Sequence, residues 1–272
     1  MLIADGSPRR GQTDGGQDAV MDRQQISAIA HAEHPIAAPL GDESVRRLLD
    51  RALPRGDERI LDLGCGAGAW LSCALTGRPA ARAEGVDIDA DTIAAARTTL
   101  AGAGLGDRIV LHAQDATDFT APHLFDLVLS VGATHAFGGL LPALRAARGH
   151  LAPGGSVLVG DGFWEHEPNQ ATVDLGFAAD DFDNLAGTVE RVVADGWTPV
   201  FAHVSTTHEW DDYEWSWTGT LARWALDHPG HPGSGVALKA ADEHRTGWLR
   251  GYRGALGFVT LLLRQTGQQP SG

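Results

Sequence analysis

The chain has 272 residues, 43% hydrophobic and 21% charged, an ordinary globular balance and enough chain for one α/β domain with an embellishment. Its formal net charge of -14, with Lys239 the sole lysine, argues against nucleic acid or an anionic membrane as partner. Two cysteines, Cys65 and Cys73, are too few for a disulfide framework or a structural zinc site, and no apolar run approaches membrane-spanning length, so a cytoplasmic protein with no bound metal is expected.

Met1 to Val20, rich in Gly, Asp, Gln and Arg, reads as a disordered tail. Residues 21–56 read as N-terminal helices. The first, Met21 to Ala32, carries Ile26 and Ile29 on one face and ends before Pro35, because the residue preceding proline avoids the α region. The second is expected to start at Asp42 as N-cap and to bury Val45, Leu48, Leu49 and Leu53.

From residue 57 an α/β alternation sets in, with strands expected near 59–63, 82–87, 108–113, 125–130 and 155–160, helices near 69–76, 90–101 and 138–149, and Leu151 to Gly155 as a turn feeding the fifth strand. The sequence R-I-L-D-L-G-C-G-A-G-A-W, from Arg59 to Trp70, is the centre of this pattern. An apolar strand gives way to Gly64, Gly66 and Gly68, and a helix follows. Glycines here let the backbone take positive φ and approach a ligand, and the helix start offers unpaired N–H groups. The string also fits the dinucleotide fingerprint G-x-G-x-x-G/A. Two carboxylates favour a different ligand. Asp62 lies two residues before the first glycine, which suits a cation better than a pyrophosphate, and Asp87 ends the second strand, where it can accept from two ribose hydroxyls. A nucleoside with a positively charged amino-acid tail satisfies both.

These residues resemble the class I S-adenosylmethionine-dependent methyltransferases, in their bacterial small-molecule form. D-L-G-C-G-A-G resembles the first motif of that superfamily and G-V-D-I-D the second; Asp115-Ala116, Phe125 to Ser130 and Leu151 to Gly155 extend the likeness over about Ile60 to Gly162. The resemblance implies a doubly wound, mostly parallel seven-stranded sheet of order 3-2-1-4-5-7-6 with strand seven antiparallel. It also implies S-adenosylmethionine as co-substrate, held by Asp62, Gly64, Cys65 and Gly66 around the turn, by Asp87 at the ribose, Ile88, Asp115 and Ala116 at adenine, and Ser130 and Val131 along the methionyl channel. The domain would run over 57–272.

Past Asp161 the alternation stops. Gly162 to Pro168 reads as a loop, Phe177 to Asn184 as short helix or coil, Gly187 to Gly196 as a helix, Trp197 to Thr206 as strand six and Gly257 to Leu263 as strand seven. Between the last two lies an insertion, 207–254, expected to be two helices broken at His228 to Gly235 and to act as a helical cover.

Methyl transfer from a sulfonium mainly needs alignment, with a base where the nucleophile carries a proton. His135, five residues past the fourth strand, is a candidate base, and so is Glu165 after the fifth. Each has a bland alternative, a helix-terminal histidine and a solvated loop residue. The acceptor pocket is expected to draw on His31, His34, Trp164, Trp210, Tyr213 and Trp217, the last three sharing a helical face by i, i+3, i+7 spacing. The same aromatics would serve equally as packing for the cover. The sequence thus points to a methyltransferase for a small molecule, plausible in specialised metabolism, acting as monomer or homodimer. Its rivals are an enzyme that uses the sulfonium for cyclisation or elimination and a non-catalytic binding subunit.

Overall fold

The computed structural model describes residues 21–267. The tail expected over residues 1–20 lies outside them. Among the described residues no helix is long and apolar enough to cross a membrane. The described residues divide into two compact units, one made of Gly41–Gly162, Leu185–Val204 and 258–267, the other of 21–40, Phe163–Asn184 and Ser205–Gly257.

The first unit holds the sheet. Its strands are β1 (Arg59–Leu63), β2 (Arg82–Asp87), β3 (Ile109–Ala113), β4 (Phe125–Val131), β5 (Leu151–Trp164), β6 (Trp197–Val204) and β7 (Leu256–Gln265), in the order β3-β2-β1-β4-β5-β7-β6. β1 pairs in parallel with β2 and β4, β2 with β3 and β4 with β5, while β6 and β7 run antiparallel. The order and the antiparallel edge are those expected. Ile60, Leu61, Leu63, Val86, Leu127, Val128, Leu129, Val157 and Leu158 are all buried, as continuous apolar strands must be when helices cover both sheet faces. Those helices include α2 (Asp42–Ala52), α3 (Ala69–Leu75), α4 (Ala90–Gly102), α5 (Leu140–Arg148) and α7 (Leu185–Ala194).

Three local details depart from the expected pattern. Gly41, without a side-chain hydrogen bond, is the N-cap of α2, and Asp42 sits inside the first turn beside Glu43, where both carboxylates oppose the positive end of the helix dipole. α5 begins at Leu140 because Gly138 and Gly139 hold φ of 84° and 114°, outside the helical region. Leu151 to Gly155 is strand, not turn: Phe125 pairs with Leu151 but Leu127 pairs with Ser156, so Pro153 and Gly154 sit in a bulge inside one long strand.

The second unit is helical: α1 (Arg23–Ala30), α6 (Gln170–Asp174), α8 (Thr207–Asp227) and α9 (Ser234–Gly247), which continues as one π turn, Trp248–Tyr252. α6 was not foreseen; the Asn169 side chain caps it by accepting from Thr172 N at 3.0 Å. The insertion is two helices with the break at the expected place. α8 opens with a capping box in which the Thr206 hydroxyl accepts from Glu209 N at 3.2 Å and Glu209 Oε2 accepts from Thr206 N at 2.8 Å. Ala30 of α1, Ala225 of α8 and Ala237 and Ala241 of α9 cluster around Leu221 of α8, and the four alanines leave room for the three helices to approach closely.

Candidate active site

In the sheet unit the candidate residues lie at or just past the carboxyl ends of β1, β2, β3 and β4. The turn after β1 is tied to β2, since Gly64 N and Cys65 N donate to Val86 O at 2.9 and 3.0 Å. Asp87 then fixes both sides: Oδ2 accepts from Gly66 N at 2.8 Å and Oδ1 from Asp89 N at 3.0 Å. Each carboxylate oxygen retains lone-pair capacity beyond its one amide. Gly64 holds φ of 90°, and a Cβ there would lie 2.4 Å from the Ala133 Cβ, so no other residue fits.

Asp62 is 2% exposed, and its Oδ2 has no hydrogen-bond partner among the described residues. Burial, followed by the negative charge of Asp87, pushes its carboxyl up to about 8. A buried oxygen acceptor left unmatched costs about 1–3 kcal/mol, so this position is unfavourable unless something else compensates. Ser130 lies one residue beyond Leu129, the register partner of Asp62, and its buried hydroxyl is likewise unpartnered. Val131 ends β4, half-buried. Ile88, 73% exposed, holds an aliphatic side chain in the open just past β2.

Asp115 is exposed, and Oδ1 accepts from Thr117 N at 2.8 Å and Thr117 Oγ1 at 2.7 Å. These bonds hold its carboxyl below the usual range and make the residue a turn former that keeps Oδ2 spare. Ala116 beside it is buried. His135 is exposed on a short 3-10 turn, Thr134–Phe137.

Asp161 was not foreseen. Its Oδ1 accepts from Thr134 Oγ1 at 3.1 Å and Gly162 N at 2.9 Å, which ties β5 to the turn that carries His135. Burial pushes its carboxyl up to about 6. The signal was an aspartate flanked by two glycines directly after an apolar strand run.

The second unit gathers most of the remaining candidates into three groups. His31 and His34 meet Tyr213. Burial lowers the His31 pKa and so favours the neutral ring; Nδ1–H donates to Ser27 O at 2.9 Å, which leaves Nε2 to accept from the Tyr213 hydroxyl at 3.2 Å. His34 packs edge-on to the same ring at 5.3 Å. Trp217 belongs to a second group, stacked on His244 at 4.0 Å. That histidine's Nε2 lies 2.7 Å from Glu214, a fully buried carboxylate that also accepts from Tyr252 at 2.8 Å. Glu214 escaped notice because it sits among the aromatics of α8, a face that reads as apolar. Trp210 and Glu165 line a third feature, a cleft of about 360 Å³. Trp164 stands apart: its indole N–H donates to Ala179 O at 3.1 Å and its ring packs edge-on to Phe177 and Phe182.

A seven-stranded sheet of this order, with a glycine turn between two strand-end carboxylates, defines the class I methyltransferase fold. Residues 60–155 match the family of methyltransferase domains. That stretch thus has the sequence pattern of a methyltransferase domain, and the sheet has the Rossmann-like topology of the class I S-adenosylmethionine-dependent methyltransferases. It is similar to the Escherichia coli protein YjhP, itself uncharacterized, at 29% identity over 77% of this chain and 85% of that one. It is also similar to trans-aconitate 2-methyltransferase of Streptomyces avermitilis, at 31% identity over 60% of each chain. In fold it matches a methyltransferase from Geobacter sulfurreducens solved with S-adenosylhomocysteine, with a TM-score of 0.79 and 24% identity over 90% of this chain and 99% of that one.

Proposed function

We propose that this protein binds S-adenosylmethionine and transfers its methyl group to a small-molecule acceptor. The observation that carries this reading is the buried, unmatched Asp62 oxygen beside the glycine turn. An ammonium brought to it would satisfy the acceptor and favour its charged form. Asp87 is assigned to the ribose hydroxyls through the lone pairs that Gly66 and Asp89 leave unused. Gly64, Cys65 and Gly66 would lie along the nucleoside, exposed Ile88 would cover one face of the adenine, and Asp115 Oδ2 with the Ala116 amide would take its edge. Ser130 and Val131 are assigned to the methionyl chain.

When bound, S-adenosylmethionine supplies an electrophilic methyl group on a sulfonium. The protein's part is to orient the acceptor and to receive a proton where the nucleophile carries one. His135 is assigned that proton, with Glu165 as the second candidate. His31, His34, Trp164, Trp210, Tyr213 and Trp217 are assigned to acceptor recognition, directly or through packing.

Calorimetric titration with S-adenosylhomocysteine tests the cofactor half; an absence of binding defeats it. Mass spectrometry of candidate acceptors tests the chemistry. A product heavier by one methylene supports transfer, whereas an unmethylated isomer indicates that the sulfonium serves another reaction.

A further inference from the structure

Another cleft lies wholly within the sheet unit, at the opposite end of the parallel strands from the glycine turn. It measures about 520 Å³ and is bounded by the end of α2, the turn into β1, the starts of β4 and β5, and parts of β6 and β7. Two strand irregularities shape it. The bulge in β5 brings Pro153 and Gly154 to its rim. In β6 the pairing passes from Pro199 directly to Phe201, so Val200 has no partner in β7 and stands 48% exposed. Bulges bend a strand and re-aim its side chains, and they gather beside sites.

The carboxylates at this cleft are already committed. Glu58 is buried, and its two oxygens accept from Arg55 N at 2.7 Å and Gly56 N at 2.8 Å. Asp126 accepts from Arg59 N at 2.9 Å and pairs with an Arg55 terminal nitrogen at 2.9 Å. Asp57 balances Arg55 further, at 3.0 Å. Arg51 and Arg264 are not balanced. The exposed Arg51 guanidinium lies over the Phe201 ring at 4.1 Å and makes no hydrogen bond or ion pair among the described residues. Arg264, also exposed, makes one hydrogen bond, to the neutral Gly154 O at 2.9 Å, and no ion pair there. Leu262 is the register partner of Phe201, and Arg264, two residues further along β7, shares its face. The two guanidinium groups therefore flank one patch of sheet, and a chain of net charge -14 keeps two unpaired cations at a single cleft.

We propose that this cleft is a second ligand site, for a small organic phosphate whose dianion bridges the Arg51 and Arg264 guanidinium groups while its organic part rests on Pro54, Pro153 and Val200. A guanidinium offers phosphate oxygens parallel N–H donors, and both arginines have donors to spare. The three apolar side chains supply the surface that separates an organic phosphate from the free ion. The site shares no residue with the glycine turn and does not rest on the methyltransferase reading.

The test is calorimetric titration of the full chain, near neutral pH in low-salt HEPES, with phenyl phosphate, inorganic phosphate and benzoate. The expected result is that phenyl phosphate binds at one site and more tightly than either of the others. Arg51→Gln and Arg264→Gln should each weaken it about tenfold or more, the loss of a charged hydrogen-bond donor. Arg46→Gln, which alters an exposed arginine of α2 outside the cleft, should leave it unchanged. Should Arg264→Gln fail to fold, Arg51→Gln decides alone, since that side chain makes no hydrogen bond that folding requires. No heat from phenyl phosphate at millimolar concentration would overturn the proposal, as would equal or tighter binding of inorganic phosphate or benzoate. So would an Arg46→Gln loss as large as that of Arg51→Gln, which would mark general charge attraction. Titrating the same sample with S-adenosylhomocysteine separates the two claims. Phenyl phosphate displaced by S-adenosylhomocysteine retires the cleft and places the anion at the cofactor turn; phenyl phosphate bound where S-adenosylhomocysteine does not bind retires the methyltransferase reading and keeps the cleft.

Discussion

At pH 7 the Asp62 carboxyl, pushed up to about 8, keeps its proton in roughly nine molecules of ten. A cation within about 4–6 Å lowers a carboxyl pKa by roughly one to three units. If the cofactor's ammonium approaches Asp62, the pKa should fall to between about 7 and about 5, and binding at pH 7 should release about 0.4 to 0.9 proton. Calorimetric titration with S-adenosylhomocysteine in phosphate and then in Tris measures this number, because the observed heat depends on the ionisation enthalpy of the buffer that takes up the proton. Asp62→Asn should bind more weakly and release none. A slope of zero between buffers for the unaltered protein would refute the reasoning, and so would the same slope in Asp62→Asn.

The same carboxyl affects stability. Its folded pKa is raised above the unfolded value of 3.8, so its contribution is fully present below that value and is lost as pH rises toward about 8. Asp62→Asn should therefore be more stable than the unaltered protein at pH 7, by at most about 4 kcal/mol, with the gap closing toward pH 4 in urea unfolding. Asp87→Ala should weaken S-adenosylhomocysteine binding by at least about tenfold while the amide bonds it loses from Gly66 and Asp89 lower stability by only about 1–3 kcal/mol, as calorimetry and thermal unfolding would report. Gly64→Ala should do worse, losing about 2 kcal/mol or more together with cofactor binding, because both the positive φ and the Ala133 contact oppose a Cβ. Glu214→Ala should destabilise the fold by about 3–5 kcal/mol in urea unfolding, since it strips the partner from His244 and Tyr252 in a buried setting, and Glu214→Gln should recover part of the loss.

What the sequence made legible was what local chemistry determines. The glycine turn, the flanking Asp62 and Asp87 and the break between α8 and α9 are set by neighbours in the chain, and each was found where expected. The bulge in β5 was misread because proline followed by two glycines carries a turn's signature, and only the pairing of Phe125 and Leu127 reveals a continuous strand. Asp161 and Glu214 were missed for another reason. Their significance lies in burial and in partners such as Thr134, His244 and Tyr252, which only the folded chain brings to them. The contact between His31 and Tyr213, 182 residues apart, is of the same kind. A tryptophan's spacing on a helix shows its face, but not whether its N–H finds an acceptor.

A crystal of the protein grown with S-adenosylhomocysteine is the most direct test of the central claim. The account predicts nucleoside density along Gly64 to Gly66, with both ribose hydroxyls on Asp87 and the amino-acid end toward Asp62. Density for the nucleoside elsewhere, or a ribose that leaves Asp87 facing solvent, would contradict it.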